Sequence, residues 1–205
     1  MFDTVFFVPL PKSNSHYCNH HYYFGIMKFY DRDREQQALF EVLRQSKTEA
    51  RMTVLMGRRR IGKTELSLHC GDETVLYFFV GKKAEALLCR DYVREIQEKL
   101  GVPVLGQPNN FSDIFRYVLQ LSKDRPFTLI IDEFQNFAKV NPTVFGDIQR
   151  NWDLNKRDSR INLHLLSECC GSYTYLLSSF RRAPVVTGTL LNGSCCFMTP
   201  SFYHV

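Results

Sequence analysis

The sequence predicts an α/β fold, a three-layer sandwich with a mostly parallel sheet, and three observations carry that prediction. Short apolar, β-branched runs without alternation are separated by stretches of helical period, which is how strands buried on both faces read. A glycine-containing loop, "GRRRIGKTEL" (57–66), joins one such run directly to a helix-like stretch. A later run, "FTLIID" (127–132), ends in the adjacent carboxylates Asp132 and Glu133.

The elements follow in order. From Met27, "MKFYDRDREQQALFEVLRQ" places Ala38, Leu39, Val42 and Leu43 on one helical face, with Asp31 or Asp33 available as N-cap. "MTVLMG" (52–57) is a strand, and residues 63–70 continue as a helix. "TVLYFFV" (74–80) is a second buried strand. The following "KAEALLCRDYVREIQEKLG" (83–101) is an amphipathic helix, with Ala84, Leu88, Tyr92, Ile96 and Leu100 in register and Gly101 as its stop. Residues 112–124 read as a helix, 127–132 as a third strand, 143–154 as a helix and 160–166 as a fourth strand. The core is of five-strand type, with four strands placed. Trp152 and the aromatics of "YFFV" read as core.

Composition narrows the class. The chain has 205 residues, 44% hydrophobic and 23% charged, suited to one ordinary globular domain. Its apolar runs are too short to cross a bilayer, and no basic stretch precedes the first of them, so neither a membrane span nor a signal peptide is expected. Seven cysteines without a C-x-x-C pair suit reduced thiols in the cytoplasm. The net charge of +5 permits nucleic-acid contact without predicting it. Residues 1–26 show neither strand nor helix period and are expected to be a loosely ordered extension, with 27–180 as the domain and 181–205 as an atypical tail. "HYCNHH" offers His16, Cys18, His20 and His21, but no second cluster stands at metal-site spacing.

The loop carries the chemistry. Gly57, Gly62, Lys63 and Thr64 satisfy G-x-x-x-x-G-K-[ST] in full, after a strand and opening a helix. Chance alone supplies those four residues in on the order of one chain in a hundred of this length. The glycines let main-chain N–H groups wrap a phosphate, and the helix N-terminus adds a favourable dipole. On this reading Gly57, Arg60, Ile61, Gly62, Lys63, Thr64 and Glu65 form the nucleotide-binding set. Lys63 faces the terminal phosphates and Thr64 ligates Mg²⁺. The arginines between the glycines, Arg58 to Arg60, read as the variable part of the loop, with one near the nucleotide and the others solvated.

An acidic pair at a strand tip also caps helices, so Asp132 and Glu133 alone decide little. With a complete phosphate loop upstream, Asp132 becomes the second Mg²⁺-holding residue and Glu133 the general base that orients water.

The stretches "FYDRDRE" (29–35), "GRRRIGKTEL" (57–66), "YFFVGKK" (77–83), "IDEFQNF" (131–137), and "VFGDIQRNWD" with "INL" (144–163) resemble the archaeal-type P-loop ATPases of the AAA+/STAND division. The resemblance covers about residues 27–165. It implies an AAA+-like strand order and ATP, rather than GTP, as the nucleotide. It also implies an outer wall of the nucleotide site built from Arg32 and Glu35, and a polar sensor near the fourth strand, for which Ser167 and Ser172 are the candidates. Family members continue into a helical lid that this sequence lacks, so a truncated gene product is an expectation. Two functional readings stand: Mg²⁺-dependent ATP hydrolysis, and a nucleotide-dependent switch that binds ATP with negligible turnover and acts through a protein partner or a homo-oligomer.

Overall fold

The computed structural model describes residues 4–7, 32–103 and 106–168, the first of these groups by its backbone alone. The strands are β1 (Thr4–Phe7), β2 (Arg51–Gly57), β3 (Val75–Phe79), β4 (Phe127–Asp132) and β5 (Ile161–Glu168). They form one sheet in the order β1-β2-β5-β4-β3, every pairing parallel. The helices are α1 (Asp33–Ser46), α2 (Lys63–His69), α3 (Glu85–Leu100), α4 (Phe111–Asp124), α5 (Phe137–Val140) and α6 (Val144–Asn155).

Strand side chains alternate between the two faces. On one face Met52, Val54, Met56, Leu129, Ile131, Leu163 and Leu165 meet α3, α4 and α6 in the larger core, which includes Leu88, Tyr92, Phe111, Phe115, Ile148 and Trp152. On the other, Leu55, Ile130 and Leu166 meet Leu39 of α1 and Leu66 of α2 in a smaller cluster. Because both faces are covered, the strands read as continuous apolar runs. The interruptions, Thr53, Thr128, Asn162 and His164, are fully buried and alternate with the larger core's strand residues, which puts them on the α2 side.

The placed elements sit within two residues of their expected limits. Gly101 stops α3 with φ 65°, a left-handed conformation that glycine adopts at low cost. Four points differ. Residues 4–7, expected within a loosely ordered extension, pair with Thr53–Met56 and supply the fifth strand. Asp33 is the first residue of α1 and the N-cap position belongs to Arg32, so Asp33 is not the cap. Phe79 is 52% exposed, because the strand-end alternation turns it away from the core that holds Phe78. A 3-10 turn (Phe134–Asn136) and the short α5 follow β4, where no element was expected. Asp31, Ser172, the "HYCNHH" cluster and the 181–205 tail lie outside the described residues.

Among the described residues no helix is long and apolar enough to cross a membrane, and no group of three or more metal-capable side chains is assembled. Cys70 and Cys89 are free and buried, and burial pushes both thiols up to about 12.

Candidate functional site

A parallel sheet brings all its strand C-termini to one edge, where open α/β sheets carry their ligands. Here that edge gathers Gly57 of β2, Phe79 of β3, Asp132 of β4 and Ser167 and Glu168 of β5.

The loop between β2 and α2 turns back sharply. Arg60 (φ 62°) and Gly62 (φ 79°) both take left-handed backbone, the conformation that turns successive N–H groups inward into an anion-binding concavity. Arg60 does so despite its Cβ, a cost that the surrounding loop sustains. Ile61 between them is buried and packs with Leu55 and Leu66, which anchors the loop to the α2-side core. Lys63 is buried and donates from Nζ to the carbonyls of Gly57 (2.9 Å) and Arg58 (2.8 Å), spanning the loop's mouth. Glu65 is exposed in the first turn of α2.

Arg32 approaches the loop from the start of α1. Its guanidinium is buried, donates from Nη2 to the Ile61 carbonyl, and lies about 4 Å from where a Cβ on Gly62 would stand. Nη1 is buried with no hydrogen-bond partner. Burial lowers the Arg32 pKa, and the Glu35 carboxylate opposes that shift. Arg58, Arg59 and Arg60 are exposed, and Arg59 lies 3.7 Å from the Glu168 carboxylate, so the arginine run tracks toward the end of β5.

The carboxylate pair divides its tasks. Asp132 is 8% exposed and accepts from Thr64 Oγ1 at 2.7 Å, across 68 residues of sequence. Tyr77 Oη donates to the same oxygen, Oδ2, at 2.8 Å, while Oδ1 accepts from the Glu133 N–H at 2.8 Å. Burial first, and then the bond to Asp132, raise the Tyr77 pKa, so the phenol stays protonated and a donor. Glu133 takes left-handed backbone, φ 55° and ψ 37°. Its Oε2 accepts from Gln135 Nε2 at 2.8 Å, and Gln135 Oε1 accepts from Ser167 Oγ at 2.9 Å and from the Glu168 N–H at 3.2 Å.

The structure therefore brings Lys63, Thr64, Asp132, Glu133 and Ser167 to one edge, with Arg32 on the loop's far side. Sequence reasoning missed two participants. Tyr77 passed as core because a strand covered on both faces hides which residue points where. Gln135 lay inside a quoted resemblance and was given no task. The donor set also suits the cation: one hydroxyl and one carboxylate are hard oxygen ligands of the kind Mg²⁺ takes alongside water and phosphate.

Comparison with known proteins bears on the family and the fold. A family model described as an AAA domain matches residues 45–167, from the end of α1 to Ser167. The uncharacterized protein MJECL04 of Methanocaldococcus jannaschii is 29% identical over 138 residues, covering 67% of this chain and 29% of that protein. Among solved structures, the Walker-type ATPase PABY2304 of Pyrococcus abyssi aligns with a TM-score of 0.53 at 18% identity, over 72% of this chain and 48% of that one. Cdc6p from Pyrobaculum aerophilum aligns at 0.49 and 16%, over 71% and 41%. The chain thus spans less than half the length of each of these three proteins. With the phosphate loop and the acidic strand tip on one edge of a parallel sheet, the chain belongs to the AAA domain family and has the fold of a P-loop NTPase domain.

Proposed function

We propose that this domain binds ATP at the loop 57–65 and hydrolyses its terminal phosphate with Mg²⁺. The observation that carries the reading is the 2.7 Å contact between Thr64 and Asp132, which joins the phosphate loop to the acidic strand tip on one wall. The loop N–H groups and the Lys63 ammonium, beside the left-handed Gly62, provide fixed positive charge for phosphate oxygens. Thr64 and Asp132 would hold Mg²⁺, which when bound neutralises charge on the phosphates. Glu133 orients the attacking water and takes its proton. Arg32 steadies the loop through the Ile61 carbonyl and keeps a second N–H₂ group at the site's outer wall. The residue types supply positioning and charge, which is what phosphoryl transfer chiefly requires.

Placement in the STAND branch rests on the sequence stretches that carry the resemblance, and a cytoplasmic setting fits the free buried thiols of Cys70 and Cys89. A domain spanning 27–180, joined by the strand at 4–7, and a protein partner or second copy belong to the same proposal.

The experiment is equilibrium ATP binding beside phosphate release, on the parent, Lys63→Ala and Glu133→Gln. Lys63→Ala is expected to lose binding by at least a hundredfold, and Glu133→Gln to bind as the parent does while releasing phosphate only at a small residual rate. Lys63→Ala binding ATP as tightly as the parent sinks the site assignment. Binding by the parent with no phosphate release selects the switch reading over the hydrolase.

A further inference from the structure

Gln135 uses both ends of its amide in opposite directions. Toward β4, Nε2 donates to Glu133 Oε2 at 2.8 Å; toward β5, Oε1 accepts from Ser167 Oγ and the Glu168 N–H at 2.9 and 3.2 Å. The amide orientation is fixed by chemistry. A carboxylate only accepts and a backbone N–H only donates, so those two contacts demand the same placement of nitrogen and oxygen.

The backbone on either side is held independently. Phe134, fully buried, packs edge-on against Phe137 and Phe145. Asn136 donates from Nδ2 to the Val80 carbonyl at 2.8 Å, and the Val80 N–H donates to the Asp132 carbonyl at 3.0 Å, tying the turn to β3. Within this frame Glu133 keeps a left-handed backbone that is strained for a residue with a Cβ, so its geometry is imposed by its surroundings.

We propose that Gln135 is a positioning residue for Glu133, fixing its carboxylate and coupling it to the tip of β5 through Ser167 and the Glu168 amide. The position of the β5 tip is thereby transmitted to the candidate base. The inference rests on the hydrolytic reading for its consequence, since Gln135 acts through Glu133, but the contact itself is testable without turnover.

Two measurements test it. In ¹⁵N-labelled protein, the Gln135 side-chain N–H₂ pair is identified by its loss in Gln135→Met. It is expected to exchange slowly with solvent, to shift strongly in Glu133→Ala, and to shift less in Ser167→Ala. A pair that exchanges like an exposed glutamine and ignores Glu133→Ala overturns the proposal, whether or not the protein hydrolyses ATP. In kinetics, Gln135→Met and Gln135→Glu are expected to lower kcat ten- to thirtyfold, with KM and the Kd for ATP held within twofold. Neither is expected to lower the residual rate of Glu133→Gln further. Equal losses in the parent and Glu133→Gln backgrounds overturn the proposal, because Gln135 then acts elsewhere. A parent that binds ATP and releases no phosphate defeats the hydrolytic reading alone, and the amide resonances then decide the Gln135 contact.

Discussion

Tyr77 and Thr64 donate to the same oxygen of Asp132, at 2.8 and 2.7 Å, one from β3 and the other from the first turn of α2. A buried carboxylate needs such donors, and hydrogen bonds to charged groups exceed neutral ones. Tyr77→Phe is therefore expected to lower stability by about 1–2 kcal/mol in urea unfolding. The loss should shrink toward zero in an Asp132→Ala background, because the partner is gone. Undiminished loss there would mean that Tyr77 acts through packing alone.

Arg32 separates stability from binding. One of its guanidinium nitrogens is buried with no hydrogen-bond partner, a desolvation cost that an apolar chain of similar length avoids and that offsets the lost bond to Ile61. Arg32→Met is expected to leave the unfolding midpoint unchanged or raised, while calorimetry shows ATP affinity weakened roughly tenfold, the size of one lost charge-assisted contact. Unchanged affinity would remove Arg32 from the nucleotide site.

Glu133 offers the opposite trade. Glycine accepts left-handed backbone freely, so Glu133→Gly is expected to raise stability by about 0.5–1 kcal/mol after its own entropy cost, while abolishing phosphate release. Thermal unfolding of Glu133→Gly beside Glu133→Ala checks it, since alanine removes the same carboxylate and keeps the strain.

His164 predicts an acid limit. It is fully buried on β5, lies 2.5 Å from Ser67 Oγ through Nδ1, and burial lowers its pKa to about 4. The unfolded chain takes up this proton near the ordinary histidine value of about 6.5, so it binds more protons than the folded one between those limits. Stability is then complete above about 6.5 and falls as the pH drops toward 4, by at most about 3 kcal/mol. His164→Gln should flatten that slope in urea titrations across pH 4 to 7.

The sequence disclosed what depends on local chemistry. Gly57, Gly62, Lys63 and Thr64 carry their spacing in the chain itself, and Asp132 announces itself by ending an apolar run. Gly101 marked the stop of α3 because left-handed backbone is a one-residue property. What stayed hidden depends on side chains meeting across the sheet. Tyr77 and Phe78 look alike in a run covered on both faces, and only alternation around the folded strand sends one to Asp132 and the other to Tyr92. The strand at 4–7 was hidden for a related reason: four residues cannot show a period, and its pairing with β2 is a long-range event.

The central pairing of β2 with β5 joins segments more than a hundred residues apart in the chain, such as Thr53 and His164. Loops of that length close late and slowly. During synthesis the glycine turn, the acidic tip of β4 and their helices all emerge before β5, which seats between β2 and β4. The edge that carries the candidate site therefore assembles last, and a chain waiting for β5 exposes the apolar flanks of β2 and β4. Destabilising β5 should thus show itself first as aggregation during expression, before any loss of activity in the protein that survives.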